Sequence, residues 1–222
     1  MLLSMKETEY QVVEIFDSID GEGITAGCLA TFIRLAGCNI RCSYCDTPYA
    51  LDKKMGEPMK LCEIIEQVRK IGNNRVTITG GEPLFDSNIY WLIASLANRG
   101  YKVNVETNGT IPIILTMPCI YTIDYKTPSS GMNSMMYMDN ICALRKDDVL
   151  KIVCKESDFE DIENMLFKYR PQCNVFLSPI FGEIKPARLV DFAKRLREHK
   201  ACDARVQIQL HKIIWDAEKR GV

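Results

Sequence analysis

The sequence predicts an α/β fold, a partial, open TIM-like barrel of about six βα units in a single domain spanning residues 1–222. Three observations carry this. Short β-rich runs alternate with segments whose apolar residues recur every three or four positions, the pattern of strands joined by crossover helices. The units fall short of the eight that close a barrel. Most chemistry-bearing motifs come just after a predicted strand, where parallel folds of this class gather their active sites.

Taken in order, residues 10–19 and 30–35 read as strands. Leu61, Ile64, Ile65, Val68 and Ile71 share one helical face. Residues 75–79 form a short strand that ends in Gly80-Gly81, and Ile89, Leu92, Ile93 and Leu96 mark the next helix. Strands follow at 101–106, 120–125 and 149–153. Phe159, Ile162, Met165, Leu166 and Tyr169 mark a helix, 175–177 a strand, and Leu189, Phe192, Ala193 and Leu196 a further helix. A strand at 206–210 closes the set.

Composition bounds the function. The chain is 47% apolar and 26% charged with a net charge of -1, which argues against a broad nucleic-acid-binding surface. No apolar run reaches the roughly 18 residues of a spanning helix, so no membrane role is expected. Residues 1–6 are too short for a signal peptide, and a cytoplasmic location is expected. Of ten cysteines, seven (Cys28, Cys62, Cys119, Cys142, Cys154, Cys173 and Cys202) are scattered and read as buried free thiols of a reducing interior.

The other three, Cys38, Cys42 and Cys45, fall within eight residues as C-x3-C-x2-C. A [4Fe-4S] cluster has four irons, and this loop offers three thiolates, leaving one iron free to bind a small molecule. Zinc is the other metal reading, but it usually takes four ligands in paired knuckles, and there is no second C-x2-C. Thr79-Gly80-Gly81-Glu82-Pro83 is either a turn needing glycine or a ligand cradle in which Glu82 receives an ammonium group. Arg34 sits in an apolar run after Gly21-Glu22-Gly23; it is either a buried ion pair or a fork for an anionic substrate. Thr47 either caps the next segment or ligates Mg²⁺. His211 is either a surface histidine or a group at the barrel mouth that bonds substrate or moves a proton.

The cysteine loop together with Gly80-Gly81-Glu82-Pro83 resembles the radical S-adenosylmethionine (SAM) superfamily. The finer resemblance is to the 7-carboxy-7-deazaguanine synthase (QueE) family. It rests on residues 15–23, on 30–39, on Cys45-Asp46-Thr47, on Val105-Glu106-Thr107-Asn108-Gly109 and on Gln209-Leu210-His211-Lys212. It implies a barrel of the radical SAM type and a lyase in which the reduced cluster cleaves SAM. The 5′-deoxyadenosyl radical then takes a hydrogen from C6 of 6-carboxy-5,6,7,8-tetrahydropterin. Ring contraction with loss of ammonia yields 7-carboxy-7-deazaguanine, a precursor of queuosine and other 7-deazapurines, and SAM is regenerated.

Position by position, the resemblance implies that Cys38, Cys42 and Cys45 hold the cluster and Thr47 a Mg²⁺ ion. Tyr44, Asp46, Gly81, Glu82, Asp124, Tyr125, Lys126, Ser178, Pro179, Ile180 and Phe181 form the SAM site. Ile19, Asp20, Gly21, Glu22, Arg34, Thr79 and His211 form the substrate site. A homodimer and a reducing partner such as flavodoxin are further implications. Two features depart from the family. Asp20 stands where glutamine is common. The chain also runs on past His211-Lys212, where some members place a terminal carboxylate on the pterin; Trp215, Asp216 and Glu218 are the substitutes considered. Rival readings are a glycyl-radical-enzyme activase, which shares the cysteine loop, and a non-catalytic iron–sulfur or zinc module.

Overall fold

A computed structural model describes residues 7–217 and 219–222; residues 1–6 and Glu218, invoked above, lie outside the described residues. Among the described residues nine strands form one open sheet in the order β3-β1-β2-β4-β5-β6-β7-β8-β9. They are β1 (Glu9–Ile19), β2 (Leu29–Leu35), β3 (Glu57–Lys60), β4 (Arg75–Gly80), β5 (Lys102–Thr107), β6 (Ile120–Tyr125), β7 (Val149–Cys154), β8 (Asn174–Pro179) and β9 (Arg205–Val206). From β2 onward the pairing through β4 to β9 is parallel, and β1 and β3 add an antiparallel edge.

The helices are α1 (Leu61–Ile71), α2 (Ile89–Ala97), α3 (Asp139–Ala143), α4 (Phe159–Tyr169), α5 (Pro186–Glu198) and α6 (His211–Ile214). The longer ones bury the stripes their spacing predicted: Leu61, Ile64 and Val68 in α1, Ile162, Met165 and Leu166 in α4, and Leu189, Phe192 and Leu196 in α5. Burying such a side chain stabilises by about 1.5–3 kcal/mol. Against them lie alternate strand residues: Val76, Ile78, Val103, Val105, Tyr121, Ile123, Leu150, Ile152, Val175 and Leu177, none above 4% exposed. The core is therefore the layer between strands and helices, and the opposite strand face is left for polar chemistry.

The open barrel predicted from the sequence is present, with local differences, and two of the seven cysteines read as buried, Cys62 and Cys142, lie exposed on helices. No helix joins β5 to β6; residues 108–119 cross in an irregular path. Strand β3, pairing on β1, had no period-two signal of its own. The last strand stops after Arg205–Val206 instead of running to 210. Beyond Gln207, whose amide bonds Leu177 O, the chain turns away, and Leu210 N bonds Gly21 O in the loop after β1.

Candidate active site

Register brings the inward-facing residues into one belt near the C-terminal strand ends. Arg34 pairs with Thr79, Glu106 with Thr122, and Asp124 with Lys151. Above this belt lies a cavity of about 480 Å³, within the size range of small-molecule sites. The cluster loop, the belt, His211 and the last residues of the chain all line it.

The loop carrying Cys38, Cys42 and Cys45 is clamped at both ends. Gly37 N and Cys38 N bond Ala50 O and Leu51 O at 2.8 and 3.0 Å. Ser43 N bonds Ser130 O at 3.0 Å and Ser43 Oγ donates to Ser129 O at 2.6 Å. All three thiols are free, half-buried and face the cavity. Burial pushes the Cys42 thiol up to about 11, with Lys126 pulling the other way; a bound cation reverses that balance outright. Asn108 Nδ2 lies 3.8 Å from Cys38 Sγ, a donor aimed at a prospective thiolate. Among the described residues no three His, Cys, Asp or Glu side chains converge on a single ion position. Three cysteine side chains on the wall of one cavity are the donor type that a [4Fe-4S] cluster takes.

The belt is densely charged. Lys151 Nζ lies 3.2 Å from Glu22 Oε2 and 3.6 Å from Asp124 Oδ2, and Lys126 Nζ lies 3.0 Å from the same Asp124 oxygen. Burial opposes charge on both lysines, but the carboxylates outweigh it and hold each ammonium above the ordinary lysine range. Burial also opposes charge on Asp124, and Lys126 and Lys151 overcome it, holding the carboxyl below its usual range. Asp124 Oδ1 is buried and has no partner among the described residues. An orphaned buried acceptor next to a donor-rich ligand's expected position is a physical mark of fit for SAM, whose ribose hydroxyls and ammonium are donors.

On the other side, Arg34 Nε donates to Glu14 Oε1 at 2.6 Å, and its guanidinium stands 5.5 Å from the Phe16 ring centroid and 5.8 Å from that of Tyr49. The ion-pair reading of Arg34 is thus met by Glu14, and the same guanidinium lines the cavity. Glu22 is held by Ser178 Oγ at 2.8 Å, Gln207 Nε2 at 3.3 Å and Gln209 Nε2 at 3.4 Å. His211 packs on Gly21, where a Cβ would fall 2.2 Å from its Nδ1, and burial depresses its imidazole.

Several predicted site residues line the cavity: Tyr44, Asp46, Gly81, Asp124, Lys126, Ile180 and Phe181 of the SAM set; Ile19, Gly21, Glu22, Arg34, Thr79 and His211 of the substrate set; and Thr47. Others do not. Glu82 is 2% exposed and its carboxylate is consumed, Oε1 by Leu84 N (2.9 Å) and Thr107 Oγ1 (2.7 Å), Oε2 by Asn108 N (2.6 Å). It clasps its own turn to the end of the next strand and does not line the cavity. Tyr125 follows Asp124 in a strand, so it points to the helix layer and bonds Asp161 Oδ2 at 2.8 Å. Ser178 and Pro179 are buried under the cavity, Ser178 on Glu22. Asp20 turns below the belt to accept from Thr77 Oγ1 at 2.8 Å and borders a separate, smaller cavity.

The glycine pair answers to packing first: a Cβ on Gly80 would fall 2.1 Å from Leu35 O, and one on Gly81 2.3 Å from Gly37 O. Of the chain end, Ala217 and residues 219–222 line the cavity, with Arg220 stacked 3.8 Å over Tyr49; Trp215 and Asp216 do not line it.

Lys151, Glu106, Asn108, Gln207 and Gln209 escaped assignment by sequence reasoning. Lys151 had a usable signal, the same one that singled out Arg34: a charge inside an apolar strand, Val149-Leu150-Lys151-Ile152-Val153.

The model of the Radical SAM superfamily matches residues 32–196. The 7-carboxy-7-deazaguanine synthase of Clostridium acetobutylicum is 40% identical over 225 residues, covering 96% of this chain and 99% of that protein. The enzymes of that name from Leptospira interrogans and Chlorobaculum tepidum are 32% and 34% identical, covering 98% and 97% of this chain and 100% and 99% of their own. The crystal structure of QueE from Escherichia coli shares the fold, with a TM-score of 0.73 at 22% identity over 94% of this chain and 97% of that one. That of Streptococcus suis SuiB bound to S-adenosylmethionine aligns at a TM-score of 0.52 and 13% identity, over 77% of this chain and 44% of that one.

Proposed function

Because the chain belongs to the radical SAM superfamily and, within it, to the 7-carboxy-7-deazaguanine synthases, we propose that the cavity above the charged belt is where its pterin and SAM meet. The enzyme is a radical SAM lyase that makes 7-carboxy-7-deazaguanine from 6-carboxy-5,6,7,8-tetrahydropterin with loss of ammonia. One observation carries the site reading: the three loop cysteines open onto the same cavity as Arg34, Glu22 and His211.

Cys38, Cys42 and Cys45 would hold the [4Fe-4S] cluster. Cluster and SAM together supply one-electron cleavage of the sulfonium and, through it, hydrogen abstraction at C6. The chain's own residues do the rest. Gly81 lets the strand end pack directly on the cluster loop at the cavity wall, and the open oxygen of Asp124 accepts a donor from SAM. Arg34, walled by Phe16 and Tyr49, takes the pterin carboxylate, and Glu22, its oxygens already held by Ser178, Gln207, Lys151 and Gln209, walls the pterin side of the cavity. His211, kept neutral by its depressed imidazole, can accept or donate one hydrogen bond at the pterin edge. Together they aim C6 at the SAM side of the cavity, where positioning is worth most.

Four further assignments belong to the same proposal. Thr47 Oγ1, which donates to Asp46 Oδ1 at 2.9 Å, keeps lone pairs for Mg²⁺, a hard ion that also takes substrate oxygens. Arg41 and Lys54, exposed on and beside the cluster loop, suit an acidic electron donor such as a flavodoxin. Exposed Trp91, Ile114 and Leu115 offer apolar surface for a homodimer. A cytoplasmic location agrees with ten free cysteines, and no helix among the described residues is long and apolar enough to cross a membrane.

The test is anaerobic reconstitution of the cluster, then dithionite, SAM and carboxytetrahydropterin, with the product read by mass. Formation of 7-carboxy-7-deazaguanine is expected. SAM cleavage without that product overturns the substrate reading, and failure to bind iron overturns the whole scheme. Cys42→Ala should lose the cluster, whereas Cys173→Ala, half-buried against the core, should keep both cluster and activity.

A further inference from the structure

The substrate and cofactor sides of the cavity meet at one side chain. Lys151 lies in the middle of β7, in a strand whose six residues are all buried. It is in register with Asp124 of β6, and its ammonium reaches Glu22, which is 129 residues away in sequence. Each of these carboxylates is committed differently. Glu22 is fixed on one oxygen by Ser178 and Gln207, and its other oxygen is shared by Lys151 and Gln209. Asp124 gives one oxygen to Lys126 and Lys151 and keeps the other buried and without a partner among the described residues. Glu106, accepting from Thr79 Oγ1 at 2.9 Å, adds a third carboxylate that acts on the same ammonium.

We propose that Lys151 is a positioning residue that couples the two ligand subsites, its ammonium standing between Glu22 on the pterin side and Asp124 on the SAM side, so that each ligand binds more tightly when the other is present. The proposal rests on the assignment of ligands to subsites made above. The physical argument is one of shared ordering. A donor arriving at the open oxygen of Asp124 fixes that carboxylate, and with it the ammonium that Glu22 also holds. The second ligand then meets a Glu22 whose partners no longer need to be ordered. The reverse order of binding gives the same factor, because linkage is reciprocal. A lysine suits this place because its compact charge sits between two carboxylates on a flexible stem, whereas an arginine fork prefers one carboxylate face-on.

The experiment uses cluster-loaded, unreduced enzyme, in which no turnover occurs. Dissociation constants of carboxytetrahydropterin with and without saturating SAM, and of SAM with and without the pterin, are measured at equilibrium. Wild type should show the same tightening in both directions, by about fivefold or more. Lys151→Met should bring the factor close to one. Lys151→Arg, which keeps the charge and with it the fold, should also lower it, and decides the matter alone if the methionine variant does not fold. Wild-type enzyme with no coupling, or a folded Lys151 variant of normal cluster content that keeps the wild-type factor, overturns the proposal. Wild-type enzyme that fails to bind the pterin overturns the subsite assignment and this proposal with it; enzyme that makes product normally but shows no coupling overturns the proposal only.

Discussion

Replacing Glu82 separates two uses of a carboxylate in a glycine-rich turn. In the structure it accepts three hydrogen bonds, from Leu84 N, Thr107 Oγ1 and Asn108 N, and none of its surface faces the cavity. Glu82→Ala orphans three buried donors, each worth about 1–3 kcal/mol when left unmade. Two effects offset this: burial already opposes the Glu82 charge, raising its carboxyl above the usual range, and water can enter the hole. A net loss of about 3 kcal/mol follows, or a fall of roughly 6–12 °C in Tm for a domain of this size. Glu82→Gln keeps the volume but turns an amide donor toward donors, and should lose about half as much. The assay is thermal melting of cluster-free protein beside SAM binding to cluster-loaded protein. A Glu82→Ala variant melting within about 2 °C of wild type, yet binding SAM tenfold more weakly, would refute the clasp and return Glu82 to the ligand site.

Other predictions concern the belt and the loop. Arg34→Ala should retain iron and raise KM for the carboxypterin by roughly 10–100-fold, the cost of a hydrogen bond to a charged group; an unchanged KM removes Arg34 from the site. Asn108→Ala should lower the midpoint potential of the cluster in an EPR-monitored titration, because its N–H favours the more negative, reduced thiolate set; an unshifted potential sinks this. Asp124 titrates below its usual 3.8, so its ionisation adds stability that is present above that pH and is lost as pH falls through the folded value. The stability gap between wild type and Asp124→Asn should therefore narrow on acidification, and a gap that stays constant from about pH 6 to pH 3 contradicts the pairing.

Local chemistry was legible without the structure. The cysteine spacing is a property of eight consecutive residues, and the strand and helix periods repeat over short windows, so both survive in one dimension. Arg34 stood out for the same reason, a charge in an apolar strand. Parity was also there to be used: in Asp124-Tyr125-Lys126 only the first and third residues can face the cavity, and Tyr125 turns to Asp161 as period two requires. What sequence could not supply was partnership. Glu82 looked like a ligand group until Thr107 and Asn108, on the next strand end, were seen to consume it. Asp20 looked like a substrate contact until Thr77 claimed it.

The sequence by itself determined the open parallel barrel, the three-thiolate loop and the family, because each is written in short-range spacing or in motifs read whole. Only the tertiary structure decided which carboxylates are fully engaged and which, as Asp124, keep a buried oxygen without a partner among the described residues. It also placed Lys151 between Glu22 and Asp124 and brought residues 219–222 back to the cavity. Charges pair through space over a few ångströms, and in a barrel those few ångströms join a loop to a strand more than a hundred residues away.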